Sequence, residues 1–124
     1  MINLILSVDD DYPTNLYNQL ILKESKVTDQ IITLFSGKEA MEYLQLESNQ
    51  VPEVMLLDLN MPLMNGWEVL DALMENKDER LGNMKIFLLT SSPIIDDIER
   101  VKKHPMVNGV LMKPLKPEKL LEML

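Results

Sequence analysis

The chain has 124 residues, enough for one domain that buries about two thirds of its surface. Its net charge of −8 and pI near 4.6 argue against non-specific binding to DNA, RNA or anionic membrane. The absence of cysteine excludes disulfides and thiolate metal sites. Met1-Ile2-Asn3-Leu4 lacks the basic region of a signal peptide, and no apolar run approaches the ~20 residues of a membrane span. These features fit a cytoplasmic protein with neither a membrane nor a nucleic acid as direct partner. The ten methionines are unclustered and read as flexible core filler.

A first strand is expected from Asn3 to Val8, stopping at Asp9-Asp10-Asp11. Pro13 suits the first turn of a helix running through Lys26, with Leu16, Tyr17, Leu20 and Ile21 as its apolar face and Asn15 and Asn18 exposed. Gln30 to Phe35 reads as a strand. Ser36 then caps a helix carrying Ala40, Met41, Tyr43 and Leu44, and Glu39 has the spacing of a capping-box partner. A loop over Ser48 to Pro52 precedes the strand Val54 to Leu57, which stops at Asp58. A turn-rich loop, Asn60 to Gly66, opens a helix to about Asn76. Asp78 to Asn83 is polar and expected to be exposed. The strand Lys85 to Leu89 stops at Thr90. Ser92 and Pro93 supply the cap and first turn of a helix reaching about Lys103, before His104-Pro105. Val110 to Met112 is the last strand, followed by Lys113-Pro114, and Pro117 opens a helix over Glu118 to Leu124.

Continuous apolar strands alternating with helices call for a doubly wound α/β fold, a five-stranded parallel sheet with five helices. The expected order is 2-1-3-4-5, with the switch point between the strands that end near Asp10 and Asp58. All the carboxyl ends of a parallel sheet share one edge. Acids, a hydroxyl and an ammonium from distant positions would therefore meet in one crevice.

Three carboxylates within a few ångströms repel by several kcal/mol unless a hard cation sits among them. Magnesium suits such a set, with Asp10 and Asp58 as direct ligands, Asp9 acting through water, and a main-chain carbonyl after Asp58 completing the protein's share. Asp11 reads as a helix cap. Lys113, at the end of an apolar run, would neutralise a phosphoryl oxygen, and Thr90 reads either as a donor to one or as an ordinary β-branched strand residue. An X-Pro bond such as Lys113-Pro114 is a candidate for the cis form. The parts fit phosphoryl transfer to a carboxylate. No Gly-rich phosphate loop and no G-x-S-x-G elbow is present. The single histidine, His104, reads as a helix-terminal cation.

Four blocks, Val8-Asp9-Asp10-Asp11, Leu57 through Gly66, Leu89-Thr90-Ser91 and Met112-Lys113-Pro114, resemble in order and spacing the signature blocks of the response regulator receiver domain of bacterial two-component systems. The resemblance covers essentially residues 1–124 and is nearest to single-domain, chemotaxis-type receivers. It implies a flavodoxin-like fold and phosphorylation of Asp58 by a histidine kinase or phosphotransfer protein. It implies a magnesium site of Asp10, Asp58 and the Asn60 carbonyl with Asp9 nearby, and contacts from Thr90 and Lys113 to the phosphoryl group. An output protein or domain would read the surface around Ile94, Ile95, Ile98, Val101 and Lys102. The family often carries an aromatic residue three positions before the lysine, where this chain has Val110. Asn65 replaces a common aspartate. The small polar Asn60 and Ser92, at positions that tune dephosphorylation in the family, suggest a phosphoryl lifetime of seconds to minutes. On this reading the chain catalyses only its own phosphorylation and dephosphorylation, and kinase specificity is expected in exposed residues of the first helix such as Asn15 and Asn18.

Two other readings remain. A haloacid-dehalogenase-like phosphatase would use Asp9 as nucleophile in a D-x-D-x-[TV] block, but Pro13 stands where Thr or Val is expected. A phosphorylation-inert, receiver-like binding module would keep the fold without the chemistry.

Overall fold

A computed structural model describes residues 1–91 and 95–124, with the backbone alone at 95–97. The cap and first turn expected at Ser92 and Pro93, the surface position of Ile94 and the side chain of Ile95 lie outside the described residues. In chain order the elements are β1 (Ile5–Val8), α1 (Tyr12–Glu24), β2 (Ile31–Leu34), α2 (Gly37–Gln45), β3 (Val54–Leu57), α3 (Gly66–Glu75), a 3-10 turn (Glu79–Asn83), β4 (Lys85–Thr90), α4 (Ile95–Lys102), β5 (Gly109–Met112) and α5 (Pro117–Glu122). The strands form one parallel sheet in the order β2-β1-β3-β4-β5.

Helices on both faces explain why the strands are continuously apolar rather than alternating. All four residues of β1 and of β3 are buried. Leu6, Val8, Met55, Leu57, Ile86 and Leu88 point into one core with Ala40, Leu44, Val69, Leu70, Leu73 and Val101. The intervening Ile5, Leu56, Phe87, Leu89 and Leu111 join Leu22, Leu115 and Leu120 on the other face. At about 1.5–3 kcal/mol per fully buried aliphatic side chain, these two layers are the main favourable term in folding. Among the described residues no helix is long and apolar enough to cross a membrane.

The face of α1 differs from expectation. Leu16, Tyr17 and Leu20 are exposed, and the buried residues are Asn15, Asn18 and Leu22, with Ile21 partly covered. The helix is rotated away from its most apolar stripe because its first turns lie over the carboxyl ends of the strands. Main-chain carbonyls there need donors, and an unpaired buried carbonyl costs about as much as a lost hydrogen bond. Asn15 Nδ2 donates to the carbonyls of Asp9 and Leu34, each at 2.9 Å. Asn15 and Asn18 therefore belong to the interior and are not surface specificity residues.

Three smaller differences follow from local chemistry. Ser36 caps α2 as expected, accepting from the Glu39 N–H at 3.0 Å, but the Glu39 carboxylate accepts from Phe35 N–H rather than from the cap residue. The reciprocal box forms instead at α3, between Asn65 and Glu68. The segment Glu79–Asn83 is not merely exposed: Leu81 is buried, and Arg80, held by Asp78, donates to the carbonyls of Leu44 and Glu47.

Candidate functional site

The sheet's hydrogen-bond ladder continues one residue beyond several strands. Asp9 N–H donates to Leu34 O at 3.1 Å, Asp58 N–H to Val8 O at 3.0 Å, and Lys113 N–H to Thr90 O at 2.8 Å. The polar residues after the apolar runs are thus held by the sheet itself, side by side, at its carboxyl edge. Asp9 and Asp58 are 2% and 7% exposed, whereas Asp10 is exposed. A carboxylate oxygen from each of Asp9, Asp10 and Asp58 lies within 4.8 Å of the others.

Lys113 supplies the cationic partner. Its Nζ stands 2.7 Å from Asp9 Oδ2 and 3.5 Å from Asp58 Oδ1. Burial alone would lower the pKa of this ammonium, but its hydrogen bond to Asp9 and the charges of Asp58 and Asp9 outweigh burial and leave it raised. The Lys113–Pro114 peptide is cis. The Asp58 pKa is pushed up from 3.8 to about 6, first by burial and then by the charge of Asp9, with Lys113 and the N–H of Asn60 pulling the other way. One ammonium therefore does not neutralise the cluster. A hard-oxygen donor set with charge to spare fits a divalent hard cation.

The loop after β3 is shaped by close contacts. A Cβ on Gly66 would lie 2.6 Å from Asp58 O and 2.8 Å from Leu59 Cα, so only glycine lets α3 begin against the strand end. Gly66 N–H also donates to Leu59 O at 2.9 Å. Leu63, at the loop tip, is fully exposed with φ of 66°. Asp11 is the N-cap of α1, as expected; its carboxylate accepts from the Thr14 N–H and hydroxyl, which lower its pKa.

Thr90 is the last residue of β4 and is buried. With Asn60, Trp67 and Val110 it lines a cavity of about 30 Å3 that reaches Ile98 and Val101 of α4. The Arg100 guanidinium lies 4.2 Å from the centre of the Trp67 ring, a cation–π contact joining α3 and α4. His104 lies past the end of α4. Its Nδ1 accepts from Met106 N–H at 3.2 Å, so Nε2 carries the proton toward Asp71 Oδ1 at 3.1 Å. It stands apart from the acidic cluster as a loop-fixing side chain.

Asp9, Asp10, Asp58 and Lys113 are thus brought together, and Thr90 and Asn60 stand beside them along the same edge. Sequence reasoning missed the interior amide of Asn15, the cradle at Gly66 and the Trp67–Arg100 pair. Two asparagines at helical spacing just after the acidic block were the available signal for the first of these.

The family model of the response regulator receiver domain matches residues 5–124. The probable methanogenesis regulatory protein FilR2 of Methanothrix harundinacea is 35% identical over 123 residues, 94% of this chain and 76% of that protein. The response regulator Rcp1 of Synechocystis is 35% identical over 99 residues, 77% of this chain and 66% of Rcp1. The Mn2+-bound form of Rcp1 superposes with a TM-score of 0.77 at 33% identity, covering 98% of this chain and 88% of that one. The chemotaxis response regulator CheY4 of Vibrio cholerae gives a TM-score of 0.78 at 25% identity, covering 98% of this chain and 95% of that one. The shared strand order, the matched length and the acidic edge lead to one conclusion: this chain belongs to the response regulator receiver domains of two-component signalling.

Proposed function

We propose that the chain is a magnesium-dependent phosphoacceptor switch in which Asp58 receives a phosphoryl group from a histidine kinase or phosphotransfer protein. The observation that carries this reading is the buried Asp58 carboxylate beside Asp9 and Asp10, with Lys113 reaching both buried acids. An Asp58 oxygen forms a bond to phosphorus as the bond to the donor histidine nitrogen breaks, and that nitrogen keeps the electron pair. Asp9, Asp10, Asp58 and, by resemblance, the Asn60 carbonyl would hold the magnesium ion, which supplies charge neutralisation at the phosphoryl oxygens. Lys113 neutralises a further oxygen, and the Thr90 hydroxyl donates to another. External substrate turnover is not part of this reading, and its donors belong to the cytoplasm.

A groove of about 370 Å3 beside Lys113 is lined in part by Pro13, Tyr17, Pro114 and Leu115. Leu16 and Leu20 are exposed on the same helix. Apolar surface next to the acceptor supports a protein donor as well as a small acyl phosphate. For output, the phosphoryl group adds roughly −1.5 to −2 charge. Thr90 and Lys113 follow it, and α4 with the backbone after β5 takes a second arrangement that an output protein or domain prefers.

The test is labelling by acetyl phosphate with magnesium, read by intact mass, for wild type and Asp58→Asn. Loss of the label in the variant, with its circular dichroism unchanged, is the expected result. A label that persists on Asp9 would establish the phosphatase-like chemistry instead. Wild type that takes no label and shows no Trp67 response to magnesium or beryllofluoride would leave an inert binding module.

A further inference from the structure

We infer that Asn15 is a positioning residue for the acidic centre: its buried amide sets the main chain that carries Asp9 and Asp10, and with it the affinity of the cluster for magnesium. This rests on the reading of Asp58 as a magnesium-dependent phosphoacceptor. Asn15 is completely buried in α1, at a position where a packed helix would ordinarily place an aliphatic side chain. Both of its Nδ2 protons and its Oδ1 are engaged. One Nδ2 proton goes to Asp9 O and the other to Leu34 O, both at 2.9 Å, while Oδ1 accepts from the Ser7 hydroxyl at 2.8 Å. Asn18 Nδ2, also buried, approaches the same Ser7 oxygen at 3.4 Å.

The location of the first contact matters. The Asp9 carbonyl belongs to the peptide unit that joins Asp9 to Asp10. A hydrogen bond there fixes the plane of that peptide, and the plane sets the direction in which Asp10 leaves the chain. Among the described residues no side chain donates to the exposed Asp10 carboxylate, so its placement depends on its backbone. Mutual repulsion of Asp9, Asp10 and Asp58 pushes toward a splayed arrangement before a cation binds. The Asn15 amide, clamped to the ends of β1 and β2 at once, opposes that movement and keeps the oxygens gathered. Outer groups that orient metal ligands in this way commonly change affinity without touching the ion.

The experiment titrates full-length protein with magnesium alone, followed by calorimetry and by Trp67 emission, with melting temperature recorded in parallel. Asn15→Leu keeps the branched shape and removes the hydrogen bonds. Asn18→Leu removes a buried amide from the same network without touching Asp9. The expected result is magnesium binding weakened about tenfold or more in Asn15→Leu, with Asn18→Leu binding as wild type even where its melting temperature falls. Wild-type affinity in folded Asn15→Leu, or equal weakening in both variants, would overturn the assignment and leave Asn15 a purely structural group. If Asn15→Leu fails to fold, Asn15→Ser replaces it, since a hydroxyl cannot reach both carbonyls, and the same outcomes apply. Wild type that binds no magnesium overturns the phosphoacceptor reading, and this inference with it, on a separate arm of the experiment.

Discussion

Asp58→Asn is expected to stabilise the metal-free protein at neutral pH and to leave it unchanged in acid. The Asp58 pKa rises from 3.8 to about 6 on folding, chiefly through burial and then through the neighbouring Asp9 charge. At about 1.4 kcal/mol per pKa unit, keeping Asp58 ionised within the fold costs on the order of 3 kcal/mol. The folded protein holds the Asp58 proton up to about pH 6, whereas the unfolded chain releases it near 3.8. Between those values the folded state binds more protons, so wild-type stability falls as pH rises through the window and is level above it. An amide has no such proton. The variant should therefore melt with wild type near about pH 4 and roughly 10 °C higher at about pH 7.5, taking about 4 °C per kcal/mol for a domain of this size. Magnesium at about a hundred times its dissociation constant adds about 2.7 kcal/mol to wild type and closes most of the gap. Thermal melts at several pH values, with and without magnesium, decide the matter. A difference that does not vary with pH, or a variant that melts lower at neutral pH, would refute the account of the cluster as a charge reservoir.

Lys113→Ala leaves the buried Asp9 carboxylate without the ammonium now 2.7 Å away; denaturant unfolding should show a loss of about 3 kcal/mol, partly recovered by magnesium. Gly66→Ala places a methyl against Asp58 O and Leu59 Cα, and should cost about 1–3 kcal/mol and slow labelling by acetyl phosphate. Leu63→Gly removes a left-handed leucine at a fully exposed site, so chemical denaturation should show a gain of up to about 1 kcal/mol. Arg100→Gln takes the cation from above Trp67, with a shift in tryptophan emission and a loss of about 0.5–1 kcal/mol.

The sheet was legible because burial on both faces leaves runs such as Val54-Met55-Leu56-Leu57 with no polar residue to confuse the pattern. The caps at Asp11 and Ser36 were legible because an N-cap is a contact over three residues. The orientation of α1 was not. Hydrophobicity ranks Leu16 and Leu20 above Asn15 and Asn18, and on that scale the helix turns the wrong face inward. Two open carbonyls at the ends of β1 and β2 reverse the ranking, and those carbonyls exist only once the strands are paired. Glu39 illustrates the same limit over a shorter range: its spacing fits a box, yet its carboxylate meets Phe35 N–H, one residue earlier.

The acidic centre was readable for a related reason. Asp9, Asp58 and Lys113 are each held by a ladder bond that overruns the end of a strand by one residue, and Thr90 accepts the last of these bonds. The first polar residue after each apolar run therefore inherits the regularity of the sheet. Groups that act from neighbouring elements carry no such mark. Gly66 is a glycine because the carbonyl of Asp58, eight positions earlier, occupies the space of a side chain. Trp67 and Arg100 meet only because α3 and α4 flank the same cavity beside Thr90 and Val110. Since the bonds that end the strands are also the bonds that place the acceptor, a change that loosens either one must disturb the other. Fold stability and magnesium affinity should consequently fall together for a substitution that strains this backbone, such as Gly66→Ala against Asp58 O, and separately for substitutions such as Arg100→Gln that lie outside it.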